Sequence, residues 1–343
     1  MRIGVVFGTR PEYLKLKPFL LALQSRSLPF RILHVGQHKD LTVEEQTLPT
    51  YRFLEMPPEA GVTRLTELAS NLPRILEPAI QECTHVLVQG DTATAFFAAL
   101  TAFHLKRPVI HLEAGLRTYD LENPFPEEAY RSMIARIASL HLCPDASSKQ
   151  ALLDEKVCSK IFVVGNTILD LVRHYDMKAR IGSQVPITVH RRENWPHIPD
   201  LVREIVRLAH LRPDLSFLWI SHPNPDLRTV VNETLTQTGH PPNLTCSEPC
   251  SHKQLCTYIA ESYCVITDSG GIQEEASYLG KFSFVLRKVT ERSAIPHSYL
   301  HLVASPEELV PQFLHQKIEL LPPCTAYGDG HACEKILEIL PNT

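Results

Sequence analysis

The chain has 343 residues, which is too long for one ordinary domain and suits two. Its composition, with 44% hydrophobic and 21% charged residues, is typical of a soluble globular protein. A formal net charge of −4 excludes both a strongly basic nucleic-acid surface and a highly acidic tail, so an anionic ligand must be held by local groups.

The start of the chain runs directly into a strand-like segment and shows no signal peptide with a cleavage site. No apolar stretch approaches the roughly 20 residues that span a bilayer. The nine cysteines have no repeated spacing and are interpreted as reduced thiols. We therefore expect a cytoplasmic protein with neither a membrane nor a nucleic acid as its partner.

Alternating strands and helices are predicted throughout the first half of the chain. The strands cover residues 2–7, 31–36, 85–89, 108–112, 140–143 and 161–164. The helices cover residues 10–23, 63–82, 92–105, 127–138, 146–155 and 167–178. Pro18 is expected to kink or end the first helix. This alternation predicts right-handed βαβ units on a parallel sheet.

The same alternation restarts after an expected linker at residues 179–185. Strands are predicted at 186–190, 216–221, 243–246, 263–267, 282–286 and 301–303. Helices are predicted at 199–210, 225–236, 251–261, 271–279, 306–318 and 331–339. We expect an α/β protein with two Rossmann-like domains at 1–170 and 180–320. A C-terminal helix in 325–343 can pack back on the first domain, and a ligand is expected in the interdomain cleft.

Three carboxylates come after predicted strands or in the loop that follows. Asp91 and Glu113 end neighbouring strands, and Glu127 lies in a proline-rich loop. In open α/β sheets, ligands bind outside the carboxyl ends of the strands, so these groups are expected in one crevice where they transfer protons. The alternative is that each caps a helix or pairs with Arg117 or Arg131.

A glycine-rich loop at residues 267–275 is the clearest candidate for a phosphate site. Gly270 and Gly271 follow a predicted strand and begin a helix, whose free N–H groups attract anions. Glu275, about one turn further on, can accept hydrogen bonds from ribose hydroxyls. The alternative is an ordinary glycine-rich turn in which Ser269 caps the helix.

Three further basic groups are candidate anion ligands. Arg10 stands at the entrance of the first helix, although its loop is not a GxGxxG dinucleotide fingerprint. His190 follows a predicted strand and is a candidate phosphate ligand or acid–base group. Arg292 is a candidate diphosphate ligand with Glu291 as its orienting partner. Each also has a structural alternative, such as a surface arginine at position 10.

Four cysteines and one histidine lie close together in the sequence: Cys246, Cys250, His252, Cys256 and Cys264. Their spacings do not match the paired CxxC pattern of structural zinc sites. They are interpreted as buried or surface thiols, and no metal or cofactor is expected.

Eight motifs in order, and a ninth near the end, carry a resemblance to a known family. They are Gly8–Glu12, Gly90–Thr92, His111–Thr118, Pro126–Arg131, Gly165–Thr167, His190–Asn194, Asp268–Glu275, Thr290–Arg292 and Tyr327–Gly330. The chain resembles the UDP-N-acetylglucosamine 2-epimerases of the non-hydrolysing bacterial type, over nearly its whole length.

This resemblance implies a GT-B-like fold with the active site in the interdomain cleft. It also implies an isomerase that forms a homodimer and serves polysaccharide biosynthesis. It implies reversible conversion of UDP-GlcNAc to UDP-ManNAc without metal or cofactor. The family reaction eliminates UDP to give 2-acetamidoglucal, and UDP then adds back with the opposite configuration at C2.

The resemblance also assigns roles to individual residues. Asp91 and Glu127 are the preferred acid–base pair for the two faces of C2, and Glu113 can stabilise cationic character at the ring. Arg131 and His190 complete the catalytic set. The residues expected to hold UDP are Arg10, His190, Ser269, Gly270, Gly271 and Arg292 at the diphosphate and Glu275 at the ribose.

Some segments depart from the family pattern. Gln37–Leu41 only partly matches a regulatory UDP-GlcNAc site, for which Gln37, His38 and Arg191 are candidates, and Trp195–Pro199 replaces a glycine-rich stretch. Regulation and the sugar substituents therefore stay open. The alternatives are a hydrolysing epimerase, an epimerase of a modified UDP-sugar, a sugar-nucleotide sensor and a GT-B glycosyltransferase.

Overall fold

The computed structural model describes residues 1–37, 43, 48, 50–56 and 61–340. The chain divides into two compact units. The N-terminal unit consists of Met1–Leu171 together with Gly328–Thr343, and the C-terminal unit consists of Val172–Tyr327. The described residues contain no helix that is both long and apolar enough to cross a bilayer.

A parallel sheet forms the centre of the N-terminal unit. Within the described residues its strands are β1 (Ile3–Phe7), β2 (Phe30–Val35), β3 (Tyr51–Leu54), β4 (His85–Gln89), β5 (Val109–Leu112), β6 (Leu140–Cys143) and β7 (Lys160–Val163). Their order across the sheet is β3-β2-β1-β4-β5-β6-β7. The central strands are buried on both faces, as their continuous apolar sequences predict.

Helices cover both faces of this sheet, as expected for βαβ units. They are α1 (Arg10–Ser25), α2 (Arg64–Gln81), α3 (Ala93–His104), α4 (Glu127–Ile137) and α5 (Ala146–Asp154). The next helix, α6 (Thr167–His174), begins in this unit and ends in the C-terminal unit, since the division falls after Leu171. The predicted α/β class is thus confirmed for this half. Helix α6 ends four residues earlier than predicted.

Helix α1 continues through Pro18, so the expectation that this residue could end the helix is wrong. Proline removes one backbone hydrogen bond and leaves the Leu14 carbonyl without its helical donor. Leu14 and Pro18 are only half-buried, and the next turn buries Phe19, Leu20 and Leu23 completely or nearly so. Burial of this apolar face offsets the lost hydrogen bond.

The C-terminal unit repeats the α/β pattern. Its described strands are β8 (Gln184–Thr188), β9 (Ser216–Ile220), β10 (Leu244–Ser247), β11 (Val265–Thr267), β12 (Ser283–Val285) and β13 (Leu300–Leu302), in the parallel order β10-β9-β8-β11-β12-β13. Its helices are α7 (Ile198–Leu211), α8 (Pro225–Thr238), α9 (His252–Ala260), α10 (Gly270–Tyr278) and α11 (Leu309–His315). The predicted α/β class is confirmed for this half as well.

Three further elements differ from the sequence prediction. Strand β3 is unpredicted because it contains Arg52 and lies half-exposed at the edge of the sheet, so it has no continuous apolar run. A short 3-10 helix at Arg192–His197 is also unpredicted. The helix predicted at 306–318 divides into a 3-10 turn, Pro306–Glu308, and the shorter α11.

The last helix, α12 (Ala332–Ile339), belongs to the N-terminal unit. Its residues Ile336 and Leu337 join the apolar core that α1 and the sheet form. The carboxylate of Asp170 accepts hydrogen bonds from the first amides of α12, at 3.0 Å from Ala332 and 2.8 Å from Cys333. A carboxylate at this position satisfies amides that have no partner within the helix.

Two buried histidines lie on adjacent strands of the N-terminal sheet. His111 on β5 pairs with His141 on β6, and their ring centroids are 6.1 Å apart. Neither ring nitrogen of His141 has a hydrogen-bond partner among the described residues. Burial lowers the pKa of His141 to about 3. The ring is therefore neutral in the folded protein over most of the acidic range.

We expect the pKa of His141 to make the folded protein less stable as pH falls. Below pH ~6.5 the unfolded chain binds a proton at this residue and the folded chain does not, so the free energy of unfolding decreases, by about 3 kcal/mol at pH ~4. Replacing His141→Leu removes this contribution. Urea unfolding followed by circular dichroism should show a smaller acid-induced loss in the variant than in the wild type.

The matched control is His104→Ala, because His104 is exposed at the end of α3 in the same unit. The control should retain the wild-type dependence of stability on pH. Parallel pH profiles for the wild type and His141→Leu would contradict the prediction.

Candidate functional site

Loops at the carboxyl ends of adjacent strands carry the polar residues of the N-terminal unit. The buried Glu12 carboxylate accepts hydrogen bonds from the amides of Gly8 at 3.0 Å and Thr9 at 2.8 Å, and so caps the start of α1. It also accepts one from the hydroxyl of Thr92 at 2.6 Å. Burial raises the pKa of Glu12, and these hydrogen bonds oppose that shift. Glu12 thus joins the loop after β1 to the loop after β4.

Glu113 follows directly after β5 and is held by its backbone and by several side chains. Its φ of 62° lies in the left-handed region, which non-glycine residues rarely adopt. The side chain is buried, and both its oxygens lie 2.6 Å from Lys15 Nζ. Gln89 and Asn166 donate further hydrogen bonds at 2.5 Å and 2.9 Å. Strained backbone held by several partners is a feature of functional sites.

Asp91 lies beyond β4 and forms an ion pair with Arg131 of α4. Arg131 Nε donates to Asp91 Oδ2 at 2.9 Å, and its Nη2 contacts the same oxygen. Arg131 Nη1 also donates to the buried Glu128 at 3.1 Å. The pairing of Asp91 with Arg131, considered from the sequence as an alternative to catalysis, therefore occurs, and it holds this carboxylate in place.

Glu127 is the first residue of α4 and is partly buried. Its neighbour Glu128 lies 3.1 Å from Arg131. The strands that precede Asp91 and Glu113 are paired, with Gln89 opposite Leu112. The structure thus brings Asp91 and Glu113 to adjacent strand ends and places Glu127 one helical turn from Arg131.

A neutral histidine positions the end of β4. His111 Nε2 lies 2.8 Å from the carbonyl oxygen of Gly90, so this nitrogen carries the proton and donates it. Burial lowers the pKa of His111 to about 4, although the hydrogen bond to Gly90 opposes the shift. Gly90, the residue before Asp91, is therefore held against β5 by a hydrogen bond.

Asp268 organises the equivalent strand ends of the C-terminal unit. Its completely buried carboxylate accepts hydrogen bonds from the amides of His190 and Arg191, each at 2.9 Å. The side-chain amide of Asn194 donates a third at 2.9 Å. Asp268 therefore determines the conformation of the loop that carries His190.

His190 lies two residues beyond β8 with its side chain exposed. Its ring centroid is 5.6 Å from that of His222. Desolvation by the surrounding protein lowers the pKa of His190, and the charge of Asp268 opposes the shift. The imidazole is therefore suited to act as a neutral hydrogen-bond donor at neutral pH.

The glycine-rich loop begins helix α10, as predicted. Ser269 is the residue before the helix, and Gly270 is its first residue. A Cβ atom at Gly270 would lie 2.9 Å from Glu291 Oε1 and 3.3 Å from Arg292 Cζ, so a side chain at this position would displace the two charged groups. The glycine permits them to lie against the N-terminus of α10, where backbone N–H groups favour an anion.

Glu291 lies among three arginines. It contacts Arg191 Nη2 at 2.9 Å, Arg292 Nη1 at 3.5 Å and Arg287 Nη1. These arginines hold the pKa of Glu291 far below its usual range, against the effect of burial. Glu291 therefore stays ionised and orients Arg292, the role that the sequence suggested for it.

Arg292 has a second carboxylate partner. Its Nε contacts the buried Glu274, and its guanidinium carbon lies 5.9 Å from the centre of the Tyr327 ring. Glu275, the next residue of α10, is also buried, and its carboxylate contacts His252 at 3.1 Å. Glu275, the predicted ribose ligand, is therefore already paired with His252 inside the protein.

The remaining predicted site residues belong to different units of the chain. Arg10 is exposed as the first residue of α1. Gln37 of the N-terminal unit accepts a hydrogen bond from Thr94 at 2.6 Å, and Arg191 of the C-terminal unit pairs with Glu291. The third candidate regulatory residue, His38, lies outside the described residues.

Several residues of these clusters were not assigned a role from the sequence: Lys15, Gln89, Glu128, Asn166 and Asp268. Gln89, Asn166 and Asp268 stand at or just after strand ends, as the chosen candidates do, and this position was the available signal. Lys15 lies on α1, 98 residues from its partner Glu113, and only the fold brings the two together.

A family model described as UDP-N-acetylglucosamine 2-epimerase matches residues 22–341. The UDP-N-acetylglucosamine 2-epimerase of Escherichia coli strain K12 is 34% identical over 379 aligned positions, which cover 100% of this chain and 99% of the relative. The enzyme of Neisseria meningitidis is 34% identical, with 99% of each chain covered.

Solved structures of such enzymes share the fold. The crystal structure of UDP-GlcNAc 2-epimerase from Neisseria meningitidis bound to UDP-GlcNAc superimposes with a TM-score of 0.88 at 31% identity, and covers 100% of both chains. Staphylococcus aureus MnaA with UDP gives a TM-score of 0.84 at 30% identity, and covers 99% of this chain and 95% of that one. The expected GT-B-like fold is thereby confirmed.

We expect Asp268→Asn to destabilise the C-terminal unit by about 1–3 kcal/mol, because the new amide directs N–H groups at backbone donors in a buried site. Both tryptophans, Trp195 and Trp219, belong to this unit. Urea unfolding followed by tryptophan fluorescence therefore measures the effect.

Asp200→Asn is the control, because Asp200 forms an exposed ion pair with Arg203 on α7. Such pairs contribute about 0–1 kcal/mol, so this variant should unfold near the wild-type midpoint. A wild-type midpoint for Asp268→Asn would contradict the assigned role of Asp268.

Proposed function

The chain belongs to the UDP-N-acetylglucosamine 2-epimerase family, and on this premise we propose that it interconverts UDP-GlcNAc and UDP-ManNAc by the non-hydrolysing route. UDP-GlcNAc is the ligand named for the structural neighbour from Neisseria meningitidis. The proposal assigns the sugar to the N-terminal unit and UDP to the C-terminal unit. In keeping with the resemblance, we also propose a homodimer acting in the cytoplasm.

The proposed reaction begins with elimination. The C2 proton of the sugar is not next to a carbonyl group and is only weakly acidic. As the bond between C1 and the diphosphate oxygen breaks, UDP takes the electron pair and positive charge develops at C1, which acidifies C2. A carboxylate removes the proton, and the C1=C2 double bond of 2-acetamidoglucal forms.

The second step reverses the first on the opposite face of C2. A protonated carboxyl group returns a proton to C2, and a β-phosphate oxygen of UDP bonds to C1 again. The net result is inversion at C2 with no change in oxidation state. The reaction therefore needs two acid–base groups and a site that retains UDP.

We assign Asp91 and Glu127 as the acid–base pair, and Arg131 as the residue that positions Asp91. Glu113 has Lys15, Gln89 and Asn166 as fixed donors. This constraint suits Glu113 to stabilise positive charge at the ring rather than to move during proton transfer.

The C-terminal unit is proposed to hold the leaving group. The amides at the start of α10 and the side chains of Ser269, His190 and Arg292 are donors for the diphosphate, with Arg10 of the N-terminal unit as a further candidate. Glu275 accepts from the ribose. Donors that stabilise the departing diphosphate lower the barrier to cleavage of the C1–O bond.

The observation that carries the proposal is the environment of Glu113: a buried carboxylate on left-handed backbone with a lysine, a glutamine and an asparagine directed at it. A sensor that merely retains UDP needs no such arrangement in its N-terminal unit. Regulation through Gln37, His38 and Arg191 stays a proposal, as does the identity of the sugar substituents.

The proposed mechanism predicts that the wild-type protein exchanges solvent deuterium into C2 of UDP-GlcNAc. Loss of a general base typically reduces such a rate by about 10²–10⁴-fold. Asp91→Asn and Glu127→Gln should therefore lose exchange, measured by proton NMR in deuterated water, and should still bind UDP in calorimetry.

Glu122→Gln is the matched control, because Glu122 is an exposed carboxylate of the same loop region. It should exchange at the wild-type rate. If both Asp91→Asn and Glu127→Gln exchange like the wild type, the assignment of the bases is wrong.

The hydrolysing alternative is tested by the products. In the non-hydrolysing reaction, UDP-GlcNAc and UDP-ManNAc approach an equilibrium from either side, and little free sugar appears. Time-resolved phosphorus and proton NMR separates these species. Accumulation of free ManNAc at the rate of UDP release would show that the enzyme hydrolyses its substrate.

A further inference from the structure

A buried cluster of potential metal ligands lies in the C-terminal unit, at His252, Cys256 and Glu275. His252 and Cys256 are one turn apart on α9, and Glu275 projects from α10. His252 Nε2 is 3.1 Å from Glu275 Oε1, and Cys256 Sγ is 3.6 Å from the same nitrogen. Cys256 Sγ is 3.7 Å from Glu275 Oε2.

These separations fit tetrahedral coordination. With zinc bonds of about 2.0–2.3 Å, ligand atoms of a tetrahedral site lie about 3.3–3.6 Å apart. The separation of 3.6 Å between Cys256 Sγ and His252 Nε2 lies within this range. The two separations to Glu275 lie just outside it and end at different carboxylate oxygens. One of these oxygens must turn towards both partners for a single ion to contact all three side chains. Their burial within one unit also excludes most competing water.

The donor set identifies the class of metal. Thiolate and imidazole ligands favour zinc and related transition metals, whereas magnesium and calcium prefer an all-oxygen site. We propose that His252, Cys256 and Glu275 bind a zinc ion. A water molecule would complete the tetrahedral coordination.

Burial raises the pKa of the Cys256 thiol, and the neighbouring Glu275 carboxylate adds to this shift. Without a metal the Cys256 thiol therefore keeps its proton, and zinc binding releases it.

Tyr175 supplies the supporting hydrogen bond that metal-bound histidines usually have. Its hydroxyl oxygen lies 3.1 Å from His252 Nδ1. In the metal-bound form, Nδ1–H donates to Tyr175, and the lone pair of Nε2 faces the metal. In the metal-free form, the hydroxyl donates to Nδ1, and Nε2–H donates to Glu275. The same geometry therefore accommodates both states.

Spacing along the chain alone does not reveal this cluster. The proposed ligands come from two helices, and Glu275 is 19 residues from Cys256. The site does not depend on the epimerase proposal. Because Glu275 is also the proposed ribose ligand, metal binding and nucleotide binding would be linked equilibria, each altering the other by the same factor.

The test uses the full chain, treated with a chelator and titrated with cobalt(II) as a spectroscopic probe. We expect about one cobalt ion per chain, with the visible absorption of a tetrahedral site and a thiolate-to-cobalt band in the near ultraviolet. Zinc should displace the cobalt and abolish both signals. Elemental analysis then gives the zinc content directly.

Variants test two of the three ligands and the supporting hydrogen bond from Tyr175. Cys256→Ser should lose the thiolate band, and Tyr175→Phe should weaken binding by about 10–100-fold. His252→Gln should also lose tight binding, and it carries the test if Cys256→Ser does not fold, as judged by circular dichroism. Cys158→Ser is the control, because Cys158 is an exposed thiol outside the cluster.

The control should give the wild-type titration. The proposal is overturned if the folded wild type shows no thiolate band, or if the band persists unchanged in folded Cys256→Ser or His252→Gln. Neither result would bear on epimerase activity, which is measured separately through the exchange at C2.

Discussion

The buried Glu113 carboxylate is the constraint on which the N-terminal site depends. A carboxylate removed from water requires donors, and here Lys15 comes from α1, Gln89 from the end of β4 and Asn166 from the segment before α6. These partners join three segments of the chain at one point. The left-handed backbone of Glu113 is retained because this set of contacts determines its position. The neighbouring Asp91 is held in a related way by Arg131, so both carboxylates are fixed before any substrate binds.

Buried carboxylates also hold neighbouring groups in place in the C-terminal unit, where those groups are donors and cations. Asp268 is buried and accepts amide hydrogen bonds from the loop that carries His190, while Glu291 is surrounded by Arg191, Arg287 and Arg292. In both cases a buried negative charge positions groups that can donate to an anion. The arginines around Glu291 are therefore paired with a carboxylate. The N–H groups at the start of α10 supply a further anion site. Such a preorganised arrangement suits the proposed role, which is to stabilise a departing diphosphate without rearrangement.

Much of this organisation could be predicted from the sequence, because parallel strands buried on both faces have continuous apolar runs and their ends carry the polar motifs. The parallel α/β class and the capping role of Glu12 follow from such local patterns. The edge strand Tyr51–Leu54 could not be found in this way, since an edge strand is only half-buried. Lys15 and Glu128 were also missed, because a lysine or glutamate on a helix resembles an exposed residue until the fold supplies its partner. The cluster at His252, Cys256 and Glu275 could not be predicted for the same reason, since its members meet only through the packing of α9 against α10.

The central claim is that the C1–O bond breaks and re-forms while UDP stays bound. It is tested most directly with UDP-GlcNAc that carries a heavy oxygen isotope in the bridge between C1 and the β-phosphate. Once the bond breaks, the β-phosphate can rotate, so the account predicts that the label moves into the non-bridging positions, detected by isotope shifts in phosphorus NMR. Complete retention of the label at the bridge in substrate and epimerised product alike would contradict elimination and re-addition.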